Sequence, residues 1–127
     1  METRDAARRW AQTWERAWNE HDPRLLAPLY ADDCVFRSSP LREPAVPLEF
    51  AAWAFSDEPS AETRFSEPVV DGDRAAVQWW AQVVNADGEQ TLAGCSLLRF
   101  DADGQVVEEC GYWNEAAGHA PPFAGWG

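Results

Sequence analysis

Residues 10–40 read WAQTWERAWNEHDPRLLAPLYADDCVFRSSP, and this stretch decides the fold. Trp10, Trp14 and Trp18 recur at i, i+4 and i+8 with Ala7, Ala11 and Ala17 beside them, which puts them on one apolar face of a helix of roughly four turns. Arg8, Arg9, Glu15 and Arg16 take the opposite side. Asp22 followed by Pro23 then reads as an N-cap and a first helical residue, because aspartate accepts from orphan backbone donors and proline has none of its own to satisfy. The second helix that starts there must be short or kinked, since Pro28 removes one internal hydrogen bond before Tyr30.

Beyond this stretch the spacing predicts a third helix from about Pro44 to Phe55, with Val46, Phe50 and Trp53 on one face and Pro44 and Pro47 confined to its first turn. From Glu62 onward the punctuation changes. Asp71-Gly72-Asp73, Asp87-Gly88-Glu89 and Asp101-Ala102-Asp103-Gly104 are tight-turn signals between segments rich in Val, Trp, Leu and Phe. They predict an antiparallel meander with strands over 62–70, 74–84, 90–100 and 105–114, the first an edge or bulged strand because of Pro68. Helices first and strands afterwards give an α+β class. Residues 1–115 make one domain, and the tail 116–127, with two prolines, three glycines and no periodicity, is expected to be irregular.

Composition narrows the function. At 127 residues the chain fits a single domain with a modest core. A net charge of −12 argues against nucleic acid or an anionic membrane as partner, since a polyanion is repelled at every encounter, and favours a small neutral or cationic organic molecule. Three cysteines, no charged-then-apolar leader and no bilayer-length apolar run point to the cytoplasm, with no disulfide framework. No spacing of His, Cys and acids resembles a metal site, and no cofactor motif is present.

The segments Trp18-Asn19-Glu20-His21-Asp22, Leu29-Tyr30-Ala31-Asp32-Asp33, Leu98-Arg99-Phe100 with its following Asp-Gly turn, and Val106-Val107-Glu108 ending in Tyr112-Trp113-Asn114 are together similar to the SnoaL-like proteins of the nuclear transport factor 2-like superfamily. These include polyketide cyclases and relatives of ketosteroid isomerase. The resemblance covers nearly the whole chain and implies a cone: three N-terminal helices packed in a curved, mostly antiparallel sheet, usually dimerising through its outer face. Fold does not carry function with it. Where steroid isomerases of this fold carry a tyrosine donor, a carboxylate base and a protonated acid, this chain has Trp14, Ser38 and Ser96. The acid that SnoaL-type cyclases place on the last strand falls at Gly111. The strand histidines of dehydratase-like members and the Asp-Arg-Asp set of epoxide-hydrolase-like members have no match.

Alternation puts Val107, Glu109, Gly111 and Trp113 on one face of the last strand and Val106, Glu108, Cys110 and Tyr112 on the other. Hydrophobicity does not choose between them; the resemblance implies that Glu109, Gly111 and Trp113 look inward. A four-residue loop at 101–104 pairs Phe100 with Gln105, so Ser96 is expected opposite Glu109 and Cys95 opposite Cys110. By the same parity Val77, Trp79, Ala81 and Val83 point inward. The expected pocket lining is Trp14, Trp18, Phe50 and Trp53 from helices, Tyr30 and Ser38 from the first strand region, and Trp79, Ser96, Glu109 and Trp113 from the sheet. Trp10, with the same spacing, reads as core.

Such a pocket suits a flat organic ligand bearing an amine, hydroxyl or carbonyl. A desolvated Glu109 would serve as general acid or base near neutral pH, with Ser96 or an indole N–H orienting the substrate. Three classes of function stay open: a binder of an apolar or aromatic metabolite, an isomerase, cyclase or dehydratase using Glu109, and an association module without a ligand. On the outer face Trp80, Leu97 and Tyr112, with Cys95 and Cys110, form an apolar patch that predicts a homodimer.

Overall fold

The computed structural model describes residues 1–127. Helix α1 (Thr3–Glu20) buries Ala6, Ala7, Trp10, Ala11, Trp14 and Ala17, the face that the tryptophan spacing marks out. It ends where His21 adopts a left-handed conformation (φ 55°), which lets His21 N–H donate to the Trp18 carbonyl and Asp22 N–H to the Ala17 carbonyl. Asp22 caps the next helix, its Oδ1 accepting from Arg24 N–H at 3.1 Å. That helix, Pro23–Leu29, is 3₁₀ and not α: a turn with Pro28 inside it cannot complete the longer-range hydrogen-bond ladder.

The chain continues as β1 (Tyr30–Arg37), α2 (Pro47–Ser56), β2 (Ser60–Phe65), β3 (Val69–Asp71), β4 (Arg74–Asn85), β5 (Gly88–Phe100) and β6 (Val106–Ala117). The sheet order is β1-β6-β5-β4-β2, with β3 also on β4; every pairing is antiparallel except that of β1 with β6. The helices lie in the concavity of this curved sheet, and one cluster joins Trp10, Trp14, Leu26, Leu29, Phe36 and Phe55 to Val77, Leu98 and Val106. This is the α+β cone. No helix is long and apolar enough to cross a membrane.

Four details differ from expectation. Helix α2 starts at Pro47 and not Pro44, because Ala45 is drawn into a bridge with Phe36, its N–H donating to the Phe36 carbonyl at 2.8 Å. It also buries Ala51 and Phe55, leaving Val46 and Trp53 exposed. The single strand expected over 62–70 is two, β2 and β3, separated at Ser66, Glu67 and Pro68; there Ser66 replaces the ladder, its N–H donating to the Gln78 carbonyl and its Oγ accepting from Gln78 N–H. The β5–β6 register is displaced by two residues. Asp101 N–H bonds the Gln105 carbonyl, Gly104 takes φ +79°, and Phe100 pairs with Val106, after which a bulge at Val107 sets Arg99 opposite Glu108. Ser96 therefore faces Gly111, not Glu109, and Cys95 faces Tyr112, not Cys110. A two-residue slip preserves the face, so Ser96 and Glu109 both still point inward.

The tail is irregular but docked. Strand β6 runs to Ala117, and residues 118–126 then cross the convex side of the sheet. Thr91 Oγ1 donates to the Gly118 carbonyl at 2.8 Å, and Trp80 Nε1 donates to the Ala120 carbonyl at 2.8 Å. Phe123 and Trp126 pack edge-on against the Trp80 indole. Trp80, expected in an open outer patch, is thus covered by the chain's own C-terminus, while Leu97 and Tyr112 stay exposed.

Candidate functional site

The cone encloses a cavity of about 300 Å³ that opens to solvent at one end. Its inner wall comes from α1 and the sheet, with Trp10, Trp14, Trp18, Trp79 and Trp113 contributing indoles; its outer wall comes from α2, through Phe50, Trp53 and Phe55. Of the residues expected to line it, Trp14, Trp18, Ser38, Phe50, Trp53, Trp79, Ser96, Glu109 and Trp113 do so. Tyr30 does not: it lies behind Glu109 as a partner of that carboxylate. Trp53 touches the cavity from the rim and is 60 % exposed. Trp10, which the spacing assigns to the core, is both buried and part of the wall.

Glu109 closes the inner end. It is 7 % exposed, whereas Glu108 beside it faces solvent on the convex side. Its Oε1 accepts from the Tyr30 hydroxyl at 2.7 Å and from Trp10 Nε1 at 2.9 Å, and Tyr30 in turn accepts from Trp14 Nε1 at 2.8 Å. Oε2 accepts nothing from the chain. Removal from water raises the carboxyl to about 7, against the pull of the Tyr30 and Trp10 donors, which favour the ionised form. The same surroundings push the Tyr30 hydroxyl well above its ordinary range, through burial first and the Glu109 charge second, so Tyr30 stays a donor.

Ser96, on β5, sits diagonally across the β5–β6 pairing from Glu109, at a Cβ separation of about 7 Å by sheet geometry. Its Oγ accepts from Trp79 Nε1 at 3.2 Å, which leaves the hydroxyl proton unused by the chain. Gly111 shows why no acid stands on β6 at that position. A Cβ there would come within 2.6 Å of the Ser38 carbonyl oxygen, the same oxygen that accepts from Trp113 Nε1 at 2.7 Å. Arg42 reaches over the Trp113 ring at 5.5 Å and donates to Ser38 Oγ at 2.9 Å.

Sequence reasoning missed a second buried carboxylate, at the mouth. Glu58, in the turn between α2 and β2, is 8 % exposed, and its Oε1 accepts from Trp18 Nε1 at 2.8 Å. Burial raises its carboxyl above the ordinary carboxylate value, while the Trp18 donor and the His21 ring lower it and nearby Asp57 and Glu115 raise it. His21 Nε2 meets the Glu58 backbone carbonyl. Only the Asp57-Glu58 pair just after the α2 apolar run hinted at it, and a turn residue gives no face to reason from.

Residues 7–109 match the family model described as a SnoaL-like domain. No curated protein sequence matches the chain. Among solved structures, a nuclear transport factor 2-like protein of unknown function from Exiguobacterium sp. 255-15 superposes with TM-score 0.69 at 19% identity, over 86% of this chain and 98% of its own. The BvnE pinacolase from Penicillium brevicompactum gives TM-score 0.72 at 16% identity, over 88% and 85%. A hypothetical protein of ketosteroid isomerase-like fold from Catenulispora acidiphila, in complex with trimethylamine, gives 0.69 at 14% identity, over 80% and 82%. At these identities the likeness is one of fold.

Proposed function

This chain belongs to the SnoaL-like family, and on that premise we propose that its cavity binds a small, largely apolar or aromatic organic molecule and that Glu109 transfers a proton to or from it. The observation that carries this reading is the Glu109 carboxyl at the cavity's inner end, one oxygen held by Tyr30 and Trp10 and the other free of any partner in the chain. A group that only had to fill space there would be apolar, because burying a carboxylate is unfavourable unless its environment is used.

The reaction that fits is an isomerase, cyclase or dehydratase step beginning at a carbon next to a carbonyl. Ionised Glu109 accepts the carbon-bound proton on its free oxygen, and the carbonyl oxygen gains negative charge. The Ser96 hydroxyl, held by Trp79, has its proton available for that oxygen at a distance a small substrate bridges. Tyr30 and Trp10 moderate the rise in the carboxyl's affinity for protons, which places it near 7, where base and acid forms are both populated. The aromatic walls exclude water and hold a flat body.

The test is deuterium incorporation from D₂O into a panel of small cyclic ketones, followed by NMR. Exchange that falls by about a hundredfold or more in Glu109→Gln supports proton transfer. Exchange unchanged in that variant removes it. A second reading, binding without turnover, draws support from Trp14, Ser38, Ser96 and Gly111, which stand where the resembled enzymes carry their catalytic groups. It predicts saturable quenching of tryptophan emission with no exchange at all.

The open part of the convex face, around Leu97 and Tyr112, supports pairing with a second copy of the chain. Sedimentation showing only monomer at micromolar concentration would end that idea.

A further inference from the structure

The cavity mouth is electrically lopsided. On one side stand Arg42, already seated over Trp113, and Arg37. On the other stand Asp57, Glu58, Asp87 and Glu115, contributed by the end of α2, the β4–β5 hairpin and the end of β6. Asp57, Asp87 and Glu115 form no ion pair within the chain. Glu58 is the exceptional one. It is more than nine-tenths buried and lines the cavity, and its Oε2 accepts nothing from the chain, while Oε1 is held by the Trp18 indole. A carboxylate drawn out of water with one oxygen unspent is stabilised by a cation placed against it. Its surroundings from every packed element are Trp18 and His21 from the end of α1, Asp57 beside it, and Glu115 from β6, with no arginine among them.

The wall next to Glu58 is aromatic. Trp18 packs against Phe55 with ring centroids 6.4 Å apart and against Trp79 at 5.8 Å. Indole faces attract a cation that sheds its water, and they do so best for ammonium groups bearing alkyl substituents, which are weakly hydrated. Arg42 over Trp113 is this chain's own instance of that contact at the same opening.

We propose that the molecule this cavity takes is an organic cation, a tertiary or quaternary ammonium on an apolar or aromatic body, with its charge at the Glu58 end against Trp18 and its body directed toward Glu109. This rests on the binding reading above and adds the ligand's charge and orientation. The net charge of −12 draws such a molecule in, and the acidic side of the mouth selects which end enters last.

The experiment compares benzyltrimethylammonium with neopentylbenzene, its uncharged carbon isostere, at low salt. Binding is read from the shifts of the eight tryptophan indole N–H signals in two-dimensional NMR. The cation is expected to bind about tenfold more tightly than the isostere, with the Trp18 signal among those that move most. In Glu58→Gln that preference should shrink several-fold while the isostere binds as before, which also reports that the variant is folded. Glu108→Gln, on the convex face, should leave the preference intact. Equal or tighter binding of the isostere overturns the cation and leaves the binding reading standing. A preference for the cation that is indifferent to Glu58→Gln overturns the assignment to Glu58 in favour of general attraction to an acidic protein. Binding of neither probe overturns both readings.

Discussion

Glu109 and Glu58 are both buried carboxylates on the same cavity, each receiving an indole N–H, yet their surroundings differ in kind. Glu109 lies deep among apolar groups and neutral donors, with Tyr30, Trp10 and, one bond further back, Trp14 arranged around one of its oxygens. Glu58 lies at the opening with one donor, a histidine ring and two other acids for company. The inner site is a fixed network whose members depend on one another. The outer one is a charge on a turn. Proton transfer calls for the first kind of setting and recognition of a charged ligand for the second, so the two proposed tasks would fall at opposite ends of the cavity.

The largest effect that would sharpen this contrast comes from the shared type of donor. Trp10→Ala removes a fully buried indole and a Glu109 donor together, and should lower unfolding stability by about 3–5 kcal/mol. Trp18→Ala, at a half-buried position, should lower it by clearly less. Urea midpoints with unchanged slopes would measure both. Equal losses would mean that the two ends of the cavity are packed alike.

Next in size is the pH dependence of stability. Glu109 titrates near 7 in the folded chain against 4.5 for an ordinary glutamate. Between those values the folded state holds a proton that the unfolded state has lost. Stability from this group is therefore fully present below about pH 4.5 and declines as pH rises through 7, by about 3 kcal/mol in all. Glu58, also raised, acts with the same sign. Glu109→Gln should flatten most of the slope in urea titrations run from pH 5 to 8. A slope that persists in that variant would transfer the effect to Glu58 and invert the comparison. Cys34 adds nothing over this range, since burial first and the Glu109 charge second push its thiol up to about 12.

How much of this contrast was legible beforehand depends on periodicity. The α1 face was readable because three tryptophans four residues apart fix one side of a helix; for Glu109 strand alternation left two faces, and only the family resemblance chose between them. The β5–β6 register was misjudged because Asp101 closes a bond to Gln105 and Val107 bulges, neither of which an Asp-Gly signal encodes. The parallel pairing of β1 with β6 joins Tyr30 to Val106 across most of the chain, so no local pattern announces it. That pairing is also what brings Tyr30 beside Glu109. Glu58 lay in a turn, and the groups that meet it, Trp18 and His21, come from the end of α1 and not from its own segment.

The network itself is tested by Tyr30→Phe. The Tyr30 bond favours ionised Glu109, so losing it should carry the carboxyl further above 7 and leave Trp14 Nε1 without its acceptor. A stability loss of about 2 kcal/mol above pH 7 is expected. A carbon-13 titration of the glutamate carboxyls follows the first effect directly. A Glu109 titration unmoved by this change would mean that burial alone sets it and that Tyr30 is incidental.

The smallest expected effect lies at the mouth. Glu58→Gln keeps an oxygen to accept from Trp18 Nε1, so the bond that orients the side chain survives. It removes a buried charge that Asp57 and Glu115 oppose, and it forfeits the stronger bond that a charged oxygen makes with the Trp18 donor. These contributions have opposite signs, and at pH 8 the net change in stability should stay within about 1 kcal/mol. Glu109→Gln sheds a larger burial penalty and gives up a charge that two donors favour, so it should change stability by more at that pH. Thermal or urea unfolding of the two variants side by side makes the comparison. If Glu58→Gln were the more damaging, the mouth carboxylate would be part of the structural framework, and a role in meeting a ligand would lose its physical basis, because a group on which folding depends is not free to change partners when a cation arrives.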